Sequence, residues 1–523
     1  MALAERTVTG QQPAGPAGPA ARKRRNRVLM LGGLLALAAA FGLYVATIVT
    51  HPLGLMLAGF DLRVYRGAGL VALHDASSLY SWQLVPGARF TYTPFAALLF
   101  AVATVFPWPA AMWLMAVSSL LALLATVWMT AGQLGWYGRR RLGLACAVTA
   151  AALWTEPVQR TLHVGQVELL LMALVVWDLG RPGGRRWQGA GIGLAAGVKL
   201  VPLIFIPYLL LTRRFRQAAV ASAVFAGTVA IGWAALPQAS AQWWLGPDFL
   251  AADRTGFIGF QANQSLRGLL TRLAGGVNAA TPGWLALAAA TAVAGLLAAA
   301  LLHSAGRPVQ GWVTCALTGL LVSPISWDHH WVWIAPALAL LADTAVRARG
   351  VLRWAEWVFS GVLALAFGGW PAIWNRGAAL VPWGLIWYPP GTTSGLSASG
   401  RHPEYSWQGA DLIAGNLYVL AGLVLFAGLL IAAARCRRSQ RSTRARAATK
   451  PAKQRSLRPG LPRCGRRHDR ADGQTAGAAD LSAGQPEHGQ PEHGPARRPA
   501  RRGGAAGDPG RRAAAHRDHA HPW

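Results

Sequence analysis

"VLMLGGLLALAAAFGLYVATIVT", residues 28–50, runs for 23 residues without a charged side chain. A helix that spans a bilayer needs roughly 20 mostly apolar residues, so this stretch is long enough to cross. It follows the basic run RKRRNR at 22–27. The apolar run is too long for a signal-peptide core and shows no A-x-A cleavage site, so it reads as a signal anchor. Its basic flank places the N-terminus in the cytoplasm. Similar windows recur at 109–131, 142–158, 217–237, 283–303, 353–371 and 412–434. Shorter apolar pieces lie at 93–107, 167–179, 190–211, 312–325 and 331–346. Lipid offers the backbone no hydrogen-bond partner, so a spanning chain must be helical or a closed barrel. The pattern predicts an all-α polytopic membrane protein with about 10 to 13 transmembrane helices.

Composition agrees. The 523 residues are 53% hydrophobic and 13% charged, whereas soluble domains carry about 25% charged residues. The net charge of +30 is uneven. From Arg435 onward there are 21 Lys and Arg against 7 Asp and Glu, which leaves +14 in that segment. Rich in Ala, Gly, Pro and Arg, it has too little apolar surface to fold and reads as a disordered cytoplasmic tail. A nucleic-acid or anionic-lipid arm is the weaker reading, and no nucleic-acid partner is expected. The organisation predicted is a disordered cytoplasmic N-terminus at 1–27, a transmembrane domain at 28–435 and the basic tail at 436–523. Cys146, Cys315, Cys436 and Cys464 show neither CxxC pairing nor metal-ligand spacing.

Basic clusters at 22–27, 139–141, 181–186, 213–216, 347–353 and from 435 mark the inner side. The long connections near 51–92, 159–166, 238–282, 323–330 and 373–411 then face outward. Asp61, Arg63, Asp75, Tyr92, His163, Gln166, Asn263, Gln264, Asp328, His329, His330, Glu404 and Asp411 all fall on them or at outer helix ends. Ionisable groups at membrane depth are costly and normally line a cavity, so this distribution predicts one outward-opening site.

In "FDLRVYRGAGLVALH", from residue 60, Asp61 is either a general base for an acceptor hydroxyl or the N-cap of a short helix. Arg63 follows two residues later. In "FTYTPFAALLF", 90–100, Tyr92 is a site residue or an interfacial aromatic. "LHVGQVELLLMALVVWDL" places Gln166 where it would suit sugar hydroxyls, and Glu168 must face protein or water. Lys199 is a partner for a phosphate or a snorkelling interfacial lysine. "GFQANQSLRGLLTRL" offers Asn263 and Gln264 as sugar or acceptor contacts. In "SPISWDHHWVW", 323–333, neighbouring histidines are expected to point apart with no third ligand nearby, so no metal is predicted. His330, with His329 as its substitute, is the phosphate or hydroxyl contact, and Asp328 reads as a helix cap.

Seven stretches in order, "DLRVY", "LY" at 79–80, "FTYTPFAALLF", "GQVELLLMALVVWDL", "GLAAGVKLVPLIFIPYLLLTRRFR", "NQSLRGLL" and "SPISWDHHWVW", resemble glycosyltransferase family 87. These are the actinobacterial polyprenyl-phosphate-mannose-dependent α-1,2-mannosyltransferases, and the resemblance covers about residues 28 to 435. It implies a GT-C fold in the cell membrane with an extracytoplasmic active site. It further implies a polyprenyl-phosphate-linked mannose donor and a mannoside or lipoglycan acceptor. Asp61 matches the family's catalytic acid in the first outer loop, and the His329/His330 pair matches its histidine. The implied donor-phosphate contacts are Lys199, His330, His329 and Arg63. The chain departs from the family's common GQVN at Glu168 and from its YPPF at Thr93. No DxD motif occurs, so no cofactor or metal is expected. A transporter or flippase of lipid-linked sugars is the rival reading, but it would predict internal inverted repeats, and none is visible.

Overall fold

The computed structural model describes residues 19–49, 59–181, 186–246, 252–370, 384–391 and 402–448. The segments at 51–58, 371–383 and 392–401, and the tail from 449 with Cys464, lie outside the described residues. The helices in chain order are α1 (Pro19–Val49), α2 (Phe60–His74), α3 (Pro94–Ala101), α4 (Trp108–Gln133), α5 (Gly138–Leu153) and α6 (Glu156–Val164). They continue with α7 (Glu168–Gly180), α8 (Ala190–Val198), α9 (Phe205–Leu211), α10 (Phe215–Ala235), α11 (Pro237–Leu245) and α12 (Leu266–Ala274). The last are α13 (Val277–Ser304), α14 (Pro308–Val322), α15 (Ile334–Arg347), α16 (Val351–Ala366), α17 (Gly409–Gly415) and α18 (Leu417–Ala448). Among the described residues there is no β-strand, only isolated bridges such as Asn263 to Trp327.

Among the described residues five helices are long and apolar enough to cross a membrane: α1, α4, α10, α13 and α18. The count is six if α6 and α7, bent by 117° at their junction, form one broken span. This falls below the expected number for a geometric reason. Helices α5, α15 and α16 have 16, 14 and 16 residues; at about 1.5 Å per residue they reach about 21 to 24 Å, short of the roughly 30 Å hydrocarbon core. Helix α1 starts at Pro19, so the basic run 22–27 forms its first turns, and α18 continues past Arg435 to Ala448. Large apolar side chains such as Leu35, Trp113, Leu121, Val293 and Val424 stand exposed on the spanning helices. A bilayer leaves such groups in contact with lipid at no cost. Helices α1 and α5 approach closely at glycines: a Cβ on Gly33 would lie 2.2 Å from the Gly143 carbonyl oxygen.

Four interruptions of the helical pattern position the site. Gly59, left-handed at φ 76°, starts α2, and its N–H donates to the His163 carbonyl at 2.7 Å. Gly165, left-handed at φ 72°, ends α6 and turns the chain into α7. A side chain there would be strained, and its Cβ would press to 2.8 Å on the Leu62 Cβ. Lys199 sits in extended backbone between α8 and a 3-10 turn at Val201–Ile204. The fourth break is the 3-10 segment Asp328–Trp333 between α14 and α15.

Candidate active site

The side chains released by these breaks form one hydrogen-bonded chain. Asp61 lies in the first turn of α2, but Gly59 occupies the cap position and no side chain caps the helix. The Asp61 carboxylate therefore faces elsewhere: its Oδ2 accepts from Gln166 Nε2 at 2.9 Å. Gln166 Oε1 accepts from the Tyr65 hydroxyl at 2.5 Å and the Tyr92 hydroxyl at 3.0 Å. An amide whose oxygen already accepts two hydroxyls has its nitrogen side committed to the carboxylate, which fixes the orientation of Asp61. The two tyrosine oxygens are 2.7 Å apart, and the Tyr65 ring stacks on Phe100 at 4.2 Å. Burial pushes the Asp61 carboxyl above its ordinary range, partly offset by His329, the Gln166 hydrogen bond, Arg160 and Lys199. A raised carboxyl suits a general base, because the proton affinity of the base then approaches what the acceptor hydroxyl demands.

At the far end of the chain, Lys199 Nζ lies 3.4 Å from the Tyr92 hydroxyl and 2.9 Å from His330 Nε2, and it pairs with Glu168 Oε1. An ammonium has only donors, so His330 Nε2 accepts and this imidazole is neutral. Burial, then the charges of Lys199 and His329, holds its pKa well below the ordinary value. His330 thus orients the Lys199 ammonium. His329 is arranged differently. Its Nδ1 lies 3.1 Å from Asp328 Oδ1, and its Nε2 is buried with no hydrogen-bond partner among the described residues. Asp328 is the first residue of its 3-10 turn and not the cap; its Oδ1 also accepts from the His329 N–H at 2.8 Å. Arg160 Nε stands 3.8 Å from Asp328 Oδ2. Burial raises the Asp328 carboxyl, but His329 and Arg160 outweigh it and hold the group below its ordinary value.

Several expectations are corrected. A third potential ligand does reach the histidine pair: Glu168, His329 and His330 each bring a ligand atom within 4.8 Å of the others. The segment is 3-10 rather than α, and Glu168 arrives from a separate helix, so neighbour spacing alone was a poor guide. The Lys199 ammonium sits among these side chains, pairing with Glu168 Oε1 and donating to His330 Nε2. Glu168, expected as a sugar contact, pairs with Lys199 in this cationic cluster. Arg63, expected as a donor-phosphate contact, is exposed and lies over the Trp108 ring at 4.9 Å.

Asn263 and Gln264, expected as sugar or acceptor contacts, bond to backbone groups. The Asn263 amide donates to the carbonyls of Ile258 at 2.9 Å and Pro324 at 3.3 Å, and its oxygen accepts from Ser326 N–H at 3.0 Å. Gln264 donates to the carbonyls of Gln261 and Gly415 and accepts from the N–H groups of Tyr418 and Val419. Both are fully buried and their amides are spent on backbone. Asp75 stays at the surface, bound by Ser77 and Ser78. Three residues of the site carried no expectation: Tyr65, Arg160 and Glu156. Tyr65 lies four residues after Asp61, hence on the same helix face, and that spacing was the available signal. Glu156 accepts from Trp387 Nε1 at 3.1 Å and the Tyr418 hydroxyl at 3.0 Å, contacts no local pattern reveals.

The profile of glycosyltransferase family 87 matches residues 90–324. A polyprenol-phosphate-mannose-dependent alpha-(1-2)-phosphatidylinositol pentamannoside mannosyltransferase of Mycolicibacterium smegmatis is 34% identical over 340 residues, 62% of this chain and 80% of that protein. Its namesake from Mycobacterium tuberculosis is 34% identical over 383 residues, 71% of this chain and 84% of that protein. A phosphatidylinositol mannoside mannosyltransferase of the same dependence, also from Mycobacterium tuberculosis, is 34% identical over 291 residues, 53% and 68% of the two chains. No solved structure matches the chain. With its apolar spanning helices and these relatives, the chain belongs to glycosyltransferase family 87 and is a multi-pass membrane hexosyltransferase.

Proposed function

We propose that this enzyme transfers mannose from a polyprenyl-phosphate-mannose donor to a hydroxyl of a phosphatidylinositol-mannoside acceptor, on the extracytoplasmic side, by inverting single displacement. One observation carries the reading: a carboxylate and a cationic cluster terminate the same hydrogen-bonded chain, Asp61 through Gln166 and Tyr92 to Lys199. Asp61 takes the proton of the acceptor hydroxyl while its oxygen bonds to C1 of the sugar. The bond from C1 to the phosphate oxygen breaks, and its electron pair leaves with the lipid phosphate. Lys199 meets the charge that develops there, oriented by His330, and His329 Nε2 supplies a second nitrogen. A β-linked donor then gives an α-linked product without a covalent intermediate.

The relatives' names support the donor and the acceptor class, and the basic clusters on the opposite connections support the sidedness. In this arrangement residues 28–435 form the catalytic domain and both termini are cytoplasmic. The test is transfer of labelled mannose from purified polyprenyl-phosphate-mannose to phosphatidylinositol mannosides. Asp61→Asn is expected to abolish transfer while donor binding persists. Undiminished transfer would remove Asp61 as base, and lipid translocation without transfer would favour a flippase.

A further inference from the structure

We propose that Glu168 is a built-in counter-anion: with no donor bound, its carboxylate holds the place beside Lys199 that the donor phosphate takes, so that binding and product release exchange one anion for another. The inference rests on reading the Lys199 cluster as the donor-phosphate site.

Glu168 Oε1 pairs with the Lys199 ammonium and lies 3.5 Å from His330 Nε2, and the Glu168 side chain is 10% exposed. A carboxylate oxygen and a phosphate oxygen make the same demand on an ammonium, and both are anionic. Two such groups cannot share one buried cation without strong like-charge repulsion. The displaced carboxylate has a second resting place. Glu168 is the first residue of α7, and no side chain caps that helix, so the positive end of the helix favours an acid.

The exchange acts most on the product. The donor is a phosphate diester with one negative charge, whereas the lipid phosphate left behind is a monoester that approaches two at neutral pH. Without a competing anion, Lys199 would hold that product tightly. Glu168 returns to Lys199 and helps expel it.

The full-length enzyme in nanodiscs is tested with a short-chain polyprenyl phosphate as probe, measuring binding directly and as inhibition of transfer. Glu168→Gln is expected to tighten binding and product inhibition on the order of tenfold, while Glu168→Asp, which keeps the charge, stays near the parent. Thermal unfolding is a second readout. Glu168→Gln alone unfolds at a lower temperature because Lys199 loses its counter-charge, and the lipid phosphate raises that temperature by more than in the parent. Binding that is unchanged or weaker in Glu168→Gln, with no larger thermal shift, overturns the proposal. Lys199→Met separates the two readings. If it binds the probe as tightly as the parent does, the phosphate-site reading itself fails. If it loses binding while Glu168→Gln gains none, only the counter-anion fails.

Discussion

Replacing Gln166 with Leu removes the link between the two halves of the site at nearly constant volume. Gln166 is 5% exposed, so no bulk water takes its place. The Tyr65 and Tyr92 hydroxyls keep each other at 2.7 Å, and their loss is small. Asp61 loses the amide donor at 2.9 Å, a hydrogen bond to a charged group worth about 1.5 to 3 kcal/mol. If that bond orients the base in the transition state, kcat/KM falls about 10- to 150-fold. The pH profile carries the sharper signature. Asp61 must be ionised to act, so the rate rises with pH through its pKa, which burial already raises. The Gln166 bond favours the ionised form, so removing it pushes that pKa higher. The acid limb of kcat/KM then moves to higher pH, and the defect shrinks as the medium becomes more alkaline. Mannosyl transfer measured across pH checks both points. A loss under about threefold, or a loss equal at every pH, refutes the orienting role.

Tyr65→Phe removes one neutral bond to Gln166 and should lower kcat/KM by about 2- to 13-fold, the equivalent of about 0.5 to 1.5 kcal/mol, with little change in donor KM. Gln264→Leu should leave the KM values of the folded fraction unchanged while lowering stability. Four backbone groups lose their partner, which costs roughly 2 to 4 kcal/mol and shows as a lower unfolding temperature. A raised acceptor KM at unchanged stability would return Gln264 to the sugar site. Gly165→Ala forces a side chain into the left-handed region, costing about 1 to 2 kcal/mol. Because Gln166 is the next residue, activity should fall further than the unfolding temperature suggests.

The residues that order the site were legible to different degrees. Asp61 and Lys199 stand out in the sequence because an ionisable group in an apolar chain needs a reason to be there, and the structure brings both into one chain of contacts. The three amides Gln166, Asn263 and Gln264 are chemically alike and were read alike. One orients a carboxylate and the other two tie down backbone. The Asp328–His329–His330 stretch was read by helix geometry, but a 3-10 turn and Glu168 from another helix set its contacts.

Sequence by itself determined the class of fold and the chemistry at stake. Whether a helix tolerates lipid depends on the sum of its own side chains, and that sum is local. What each polar group bonds to was decided only by the tertiary structure. Gln166 meets Asp61 across 105 positions of chain, Trp387 meets Glu156 across 231 and Tyr418 meets it across 262. A hydrogen bond depends on distance and angle between two groups, and residues so far apart acquire both only when the helices that carry them have packed.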